Sequence, residues 1–121
     1  MRPRLALIAS AGDERDALRT YLAGAGFDVH ICERLAVPTA FASLVLIGDA
    51  ASSEAAIART VRSWIKLARS ARIVVVTFKP TALRGIASAY SRRLAVLAAP
   101  AFAWDVVDAL RATDPTDPSN A

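Results

Sequence analysis

His30 and Cys32 are the first residues of this chain whose types and spacing suggest chemistry. They lie two positions apart in a segment that alternates apolar and polar residues, so both would project from one face of a strand. The chain holds one His and one Cys, and a complete metal site would need carboxylates from distant segments. An exposed histidine beside a small, half-buried cysteine on an edge strand is the simpler interpretation. We expect neither a metal nor a cofactor.

A hydrolase arrangement of Ser10, His30 and Asp49 is the second pattern, because a hydroxyl, an imidazole and a carboxylate are the groups of a catalytic triad. His30, however, lies on a predicted strand that is separated from the loops carrying Ser10 and Asp49. The sequence also lacks the glycine-flanked serine of a nucleophile elbow. We therefore predict that the chain is not an enzyme.

Two glycine-containing segments bear on phosphate binding. Gly24 and Gly26 follow a predicted helix and precede a strand, the reverse of the order in a dinucleotide-binding loop. Residues 10–12 do connect a strand to a helix start, a place that favours anions. The acidic residues within positions 13–16 would repel an anion from that helix start. A small ligand at this end of the sheet stays an alternative.

One predicted helix carries a basic stripe opposite its apolar face: Arg59, Arg62, Lys66 and Arg69. Such a stripe could follow a phosphate backbone. Charges on one helix face are more often simply solvated, and no aromatic residue lies on the same face for base stacking, since Trp64 belongs to the apolar stripe. We expect no nucleic-acid binding by this domain alone.

Length and composition predict one domain in a reducing compartment. The chain has 121 residues and a formal net charge of +4, from 15 basic and 11 acidic residues. The lone Cys32 cannot form an internal disulfide, which is typical of cytoplasmic proteins. No apolar run approaches the ~20 residues needed to cross a bilayer, and the start MRPRLALIAS predicts a strand rather than a signal peptide. We expect a cytoplasmic protein without a membrane partner.

Short apolar runs predict buried parallel strands at residues 5–9, 44–48, 73–77 and 94–97, and the alternating segment 27–32 predicts an edge strand. Helical periodicity follows most of these strands. Asp13 and Ser52 or Ser53 are the predicted caps of two helices. The expected buried positions are Leu18, Tyr21, Leu22, Ala25, Ile57, Val61, Trp64, Ile65, Ala68, Leu83, Ile86, Ala87, Tyr90, Ala103, Val106, Val107 and Leu110.

Two segments depart from this pattern. Residues 33–42 contain Pro38 and no sustained period, which predicts a shortened or irregular second helix, or a loop. Residues 113–121 are polar and Pro-rich, which predicts a disordered tail or the start of a linker.

The segments LALIAS, FDVHI, SLVLIG, VVVT and LAAPAFAWDVVDAL follow one another in this order. In this order the chain resembles the flavodoxin-like (CheY-like) α/β fold, a doubly wound five-stranded parallel sheet of order 2-1-3-4-5. Within that fold it resembles the receiver domain of two-component response regulators, over nearly all of residues 4–112. The resemblance implies a receiver-like domain at residues 1–112.

The resemblance also implies a phosphorylation pocket that has lost its chemistry. Receivers hold Mg²⁺ and phosphate with an acid pair, a phosphoacceptor Asp, a hydroxyl and a Lys, and these positions fall on Ala9, Ser10, Gly48, Thr77 and Ala99. Only Thr77 keeps the expected type, and the aromatic switch position falls on Val96. Because Mg²⁺ prefers hard oxygen ligands such as carboxylates, the chain resembles a degenerate receiver, or pseudo-receiver. Asp49 lies one residue beyond the phosphoacceptor position, and using it would shift the alternation of the preceding strand.

The last third of the chain holds the predicted interface. Opposite charges beside a partly exposed Trp104 suit a self-complementary dimer contact; the alternative is that Trp104 folds over the edge of the core. Receivers commonly use their fourth and fifth helices and fifth strand for such contacts. The predicted interface residues are Arg84, Tyr90, Arg92, Arg93, Trp104, Asp105 and Asp108.

The resulting prediction is a phosphorylation-independent module for protein interaction or homodimerisation in bacterial signal transduction or transcription regulation. A ligand-sensing domain that binds a small molecule in the degenerate pocket is the alternative.

Overall fold

A computed structural model describes residues 2–32, 41–48, 53–67 and 71–112. Within them, five strands form one sheet: β1 (Arg4–Ile8), β2 (Asp28–Ile31), β3 (Ser43–Ile47), β4 (Arg72–Thr77) and β5 (Leu94–Ala98). Each strand pairs in parallel with its neighbours in the order β2-β1-β3-β4-β5. The predicted flavodoxin-like, or CheY-like, arrangement is confirmed.

The helices of this part of the chain are α1 (Asp13–Gly24), α2 (Glu54–Leu67), α3 (Arg84–Ala89) and α4 (Ala103–Ala112), and a 3-10 turn at Pro80–Leu83 leads into α3. Residues 33–40, which contain most of the predicted short helix, lie outside the described residues, as do Asp49, Ser52, Ala68 and the tail at 113–121. None of the helices described is long and apolar enough to cross a bilayer.

Helices cover both faces of the sheet, which explains why its central strands are apolar throughout. α2 and α3 pack on one face, where Trp64, Val61 and Leu83 are buried against β3 and β4. α1 and α4 pack on the other face, through Leu22 and Leu110. The edge strands β2 and β5 are only partly buried. The sheet therefore leaves its exposed surface at its two edges and at its strand ends.

The predicted cap of the first helix is wrong by one residue. α1 begins at Asp13, so Gly12 is the N-cap residue, and it has a positive φ of 156° with ψ 176°. The Gly12 carbonyl oxygen accepts a helical hydrogen bond from Asp16 N at 3.2 Å. Asp13 and Asp16 thus stabilise α1 as negative charges in its first turn. At α2 the predicted cap is confirmed, because Ser53 Oγ accepts a hydrogen bond from Ala56 N at 3.4 Å.

Two tyrosines predicted in the core lie at its rim instead. Tyr21 and Tyr90 are each 44% exposed, whereas Leu22 and Ile86 beside them are buried. A tyrosine at the border of a helical stripe buries part of its ring and keeps its hydroxyl in water. Ala103, also predicted in the core, is half-buried because it is the first residue of α4 and lies at the end of the helical stripe. The other described members of the predicted stripes are buried or half-buried.

Candidate functional site

The receiver-pocket positions lie together at the carboxyl edge of the sheet, because parallel strands end on the same side. Ala9 follows β1, Gly48 follows β3 and Ala99 follows β5, while Thr77 is the last residue of β4. Backbone hydrogen bonds join them: Gly48 N donates to Val76 O at 2.7 Å, and Ala99 N donates to Thr77 O at 2.8 Å. Ser10 is exposed one residue further from β1.

Gly48 is enclosed on the side where a side chain would project. A Cβ atom at this position would stand 3.0 Å from Ile57 Cδ1 on α2 and 3.2 Å from the carbonyl oxygen of Val76. Contacts this short require the neighbours to shift, and one of them is backbone. An aspartate side chain at position 48 would therefore need the Ile57 side chain and the Val76 carbonyl group to give way.

Ala9 and Ala99 pack into the hydrophobic cluster formed with α1 and α4. Both positions carry charged groups in the receivers that the chain resembles, and here their methyl groups are half-buried against a core. A charged side chain loses hydration when it is placed in such an environment. The receiver-pocket positions of this chain thus take part in packing on both faces of the sheet. Gly48 packs against α2, and the two alanines pack against the cluster with α1 and α4.

Thr77 keeps a hydroxyl, but the structure assigns this group to a local role. The residue is buried, and its Oγ1 accepts a hydrogen bond from Lys79 N at 3.3 Å. This contact supports the turn that leads from β4 to Pro80. The peptide bond between Ala99 and Pro100 is cis.

Sequence reasoning did not single out the ion pair at this edge. Lys79 Nζ lies 3.2 Å from Glu54 Oε1, which connects the turn after β4 to the first residue of α2. Both side chains are largely solvated, with 72% and 41% of their surfaces exposed. A pair of this kind contributes about 0–1 kcal/mol. The spacing of Lys79 and Glu54 in the chain carries no signal, since only the fold brings them together.

Phe102 and Trp104 form an exposed aromatic stack at the start of α4. Their ring centroids are 4.4 Å apart and their planes differ by 9°, and 61% and 51% of their respective surfaces are exposed. Trp104 therefore does not fold over the core edge. The sequence analysis missed Phe102, although the run FAW at positions 102–104 places both rings beside the helix start.

The other predicted interface residues divide into surface and structural groups. Arg84, Arg92 and Asp108 are exposed. Asp105 is half-buried, and its Oδ2 accepts a hydrogen bond from Phe102 N at 3.1 Å, as the third residue of a helix does in a capping box.

Arg93 connects three elements through its guanidinium. Its Nε donates to Ala71 O at 3.3 Å and its Nη1 donates to Ile65 O at 3.2 Å. Burial lowers the pKa of Arg93 from its ordinary value, and the nearby Tyr90 opposes that shift. The side chain thus holds the start of β5 against α2 and the residue before β4.

The residues considered for a metal site or a triad lie apart from one another in local contacts, except Asp49, which is outside the described residues. His30 Nε2 lies 3.0 Å from Asp28 Oδ2, and its ring contacts Phe41 edge-on at 5.5 Å. Cys32 is half-buried against the α2 side of the sheet. No group of three His, Cys, Asp or Glu side chains is close enough to share a metal ion in the ranges that the structure covers.

Comparisons with known proteins agree with this fold. No family model matches the chain, and no curated protein matches its sequence. An adenylate cyclase structure from Rhodopirellula baltica superposes with a TM-score of 0.69 and 14% identity, covering 93% of this chain and 87% of that one. A CheY-like response regulator from Mesorhizobium loti superposes with a TM-score of 0.61 and 21% identity, covering 94% of this chain and 100% of that one. At these identities the similarity shows the fold, which is receiver-like.

Proposed function

We propose that this chain is a degenerate receiver that acts through protein contacts, without phosphorylation, in bacterial signal transduction or transcription regulation. The receiver-like fold supports a place among signalling domains. Gly48 is the observation that carries the proposal further, because the phosphoacceptor position has no carboxylate and is closely flanked by Ile57 and the Val76 carbonyl group. We also propose that the domain works in the cytoplasm and is not an enzyme.

The charge balance of the site supports the same conclusion. A phosphoryl group brings about −1.5 to −2 charges, and a receiver neutralises them with Mg²⁺ and a lysine. Here Ala9 and Gly48 offer no oxygen ligands from their side chains, and Ala99 offers no ammonium. Lys79 is nearby along the same edge, but its ammonium already pairs with Glu54.

Incubation with a small-molecule phosphodonor and Mg²⁺ tests the loss of phosphotransfer. We expect no aspartyl phosphate in the intact mass, with a receiver that keeps its acids as the positive control for the donor. Peptide mapping would locate any adduct. A phosphorylated Asp49 would contradict the proposal, since it would show that the residue beyond Gly48 has taken over the acceptor role.

The output surface in this proposal is the edge of the sheet formed by α3, β5 and α4. β5 is the last strand of the sheet, and α3 and α4 lie on opposite faces beside it. The stacked Phe102 and Trp104 supply exposed aromatic anchors of the kind that dominate interfaces. Arg84 and Asp108 add opposite charges that can pair across a two-fold axis. We propose a homodimer, or a complex with a protein partner, through this surface.

A ligand sensor is the second candidate function, and the exposed aromatic residues at the carboxyl edge favour it. Phe78 follows Thr77 directly and is 53% exposed, and the Phe102–Trp104 stack follows β5 at the same edge. A planar ring could stack there, beside the degenerate pocket.

A thermal-shift screen with nucleotides and phosphorylated metabolites separates the two functions. A specific ligand at a hundred times its Kd adds about 2.7 kcal/mol to the free energy of unfolding. We expect no compound to raise the melting temperature to that extent. A compound that does so, and that loses its effect in Phe78→Ala, would favour the sensor.

A further inference from the structure

Two adjoining depressions, an upper part between α2 and α3 and a lower part at the end of α3 and the turn before β5, form a groove. Its upper part has a volume of about 390 Å³, and its lower part has a volume of about 330 Å³. Ala89 and Tyr90 line both parts. The residues that line its upper part are Arg62, Ile65, Lys66, Ala82, Gly85, Ile86, Ala89 and Tyr90.

The floor of the groove is apolar, and the side chains on its α3 side are small. Ile65 and Ile86 form its base, and Ala82, Gly85 and Ala89 present small side chains along one side of α3 and the turn before it. A Cβ atom at Gly85 would meet no described atom within 4 Å, and Gly85 does not have a positive φ. Glycine costs about 1 kcal/mol relative to alanine inside a helix. Neither the backbone geometry nor crowding in the described chain requires a glycine at position 85. A helix docked in the groove would require one, because a larger side chain there would fill the floor.

The rim of the groove is positively charged. Arg62 and Lys66 lie one turn apart on α2 and are both exposed, and Arg92 lines the lower part. None of the described residues that line either part is acidic. A partner that fits this surface therefore combines an apolar stripe for the floor with carboxylates for the rim.

The shape of the groove indicates what kind of partner it takes. The lining residues on the α3 side extend from Ala82 to Tyr90, which corresponds to about two helical turns. An apolar floor of this length matches the stripe of an amphipathic helix. A nucleic-acid strand would instead need stacking rings along its path, and Tyr90 is the one aromatic residue that the described lining offers.

A second copy of this chain does not supply such a helix from its described part. The acidic residues of α1 and α4 are on helices whose apolar stripes are already buried, through Leu22 in α1 and Leu110 in α4. Exposing either stripe would open the protein's own core. Among the described residues, no helix of a second copy is free to be the occupant, which favours a helix of another protein.

We propose that the groove between α2 and α3 binds an acidic amphipathic helix from a partner protein. The upper part of the groove is distinct from the α3–β5–α4 edge of the proposed dimer apart from Tyr90, whereas the lower part shares Tyr90, Arg92 and Arg93 with that edge. The inference does not depend on the state of the phosphorylation pocket. It also survives if the chain is monomeric.

Selection from an unbiased peptide library tests the groove directly. The probe is a phage-displayed library of helix-favouring peptides of about four turns, with surface positions randomised equally between acidic, basic and neutral residues. The full chain is the bait, and the variant carrying Arg62→Glu and Lys66→Glu is the counter-bait. We expect the enriched peptides to carry leucine or another apolar residue at i, i+3, i+4 and i+7, flanked by Glu or Asp.

Binding of the enriched peptides is then measured by fluorescence anisotropy against single variants. Arg62→Glu and Gly85→Leu should each raise Kd by about tenfold or more, because one reverses the rim charge and the other fills the floor. Arg59→Glu is the matched control on the same helix, outside the lining residues, and should change Kd by less than about twofold. Circular dichroism and thermal melting check that each variant is folded.

Three outcomes would overturn the inference. The selection could enrich peptides that are not acidic, or no peptide that prefers the wild-type chain over the counter-bait. Folded Gly85→Leu could bind the enriched peptides as tightly as wild type. Arg59→Glu could also weaken binding as much as Arg62→Glu, which would indicate a diffuse charge effect instead of a groove.

Discussion

At position 48 the backbone runs so close to α2 that a Cβ atom would stand 3.0 Å from Ile57 Cδ1. The resemblance to receivers marks this position as a lost phosphoacceptor. The structure adds that Ile57 and the Val76 carbonyl group lie close to the place where a side chain would project. At Ala9 and Ala99, likewise, methyl groups belong to a hydrophobic cluster. Restoring the charged residues one at a time would therefore cost stability before it restored any chemistry.

Paired glycine substitutions measure this closure. Gly48→Ala should lower the free energy of unfolding by about 1–3 kcal/mol, because its methyl group meets α2 and the β4 backbone. Gly85→Ala is the matched control: its methyl group would project into open space, and it should raise the free energy of unfolding by about 0.4–1 kcal/mol. Urea unfolding followed by circular dichroism gives both values. Equal effects of the two substitutions would show that position 48 is not closed.

Among the elements, β5 shows how an edge strand is held in place. It pairs with β4 on one side, and Arg93 at its start donates hydrogen bonds to Ala71 O and Ile65 O. These acceptors precede β4 and lie near the end of α2, respectively. The Arg93 side chain therefore fixes the start of β5 against α2 and against the residue before β4. Sequence analysis assigned Arg93 to a surface because basic residues are usually exposed.

Arg93→Met removes the hydrogen bonds while keeping much of the side-chain volume. It should lower the free energy of unfolding by about 1–3 kcal/mol, since two carbonyl oxygens lose a charged donor. Arg84→Met, at an exposed position on α3, is the control and should change stability by less than about 0.5 kcal/mol. Chemical denaturation measures both variants. If Arg93→Met proved as stable as Arg84→Met, the hydrogen bonds of Arg93 would contribute nothing measurable to the free energy of unfolding.

On the scale of the whole molecule, two exposed aromatic side chains lie at the start of α4, beside the β5 edge. Phe102 and Trp104 are among the largest exposed apolar side chains of the described residues. Asp105 beside them is occupied in capping α4. A charge change at Asp105 would therefore disturb the helix start as well as any interface, and Asp108 is the better position for a test.

Dimerisation through this edge is tested by two variants in sedimentation velocity. Trp104→Ala should weaken self-association by about 2 kcal/mol, the loss expected for an aromatic anchor. Asp108→Arg should also weaken it, because the exchange places like charges together with Arg84 of the second copy. Arg19→Ala, on the exposed side of α1, serves as the control for a remote surface. Unchanged sedimentation of both variants would exclude this dimer.

Much of the fold follows from local patterns. Short apolar runs predict the buried strands because both faces of a parallel sheet are covered, and the alternating segment 27–32 predicts an edge because one face stays wet. The strand order also follows from the sequence, because the order of the segments along the chain resembles that of receivers. Tyr21 and Tyr90 are mistaken as core residues because periodicity gives the direction of a side chain without its depth.

The candidate site depends far more on tertiary structure. The resemblance indicates which positions correspond to receiver chemistry, yet it does not show that Gly48 lies close to Ile57 or that Ala9 and Ala99 are half-buried against a core. Lys79 with Glu54, Phe102 with Trp104, and Arg93 with its two carbonyl oxygens are decided only in three dimensions. The physical reason is the distance along the chain between the residues that interact. Strand and helix patterns are recorded in neighbouring residues, whereas contacts between elements depend on how the finished layers meet.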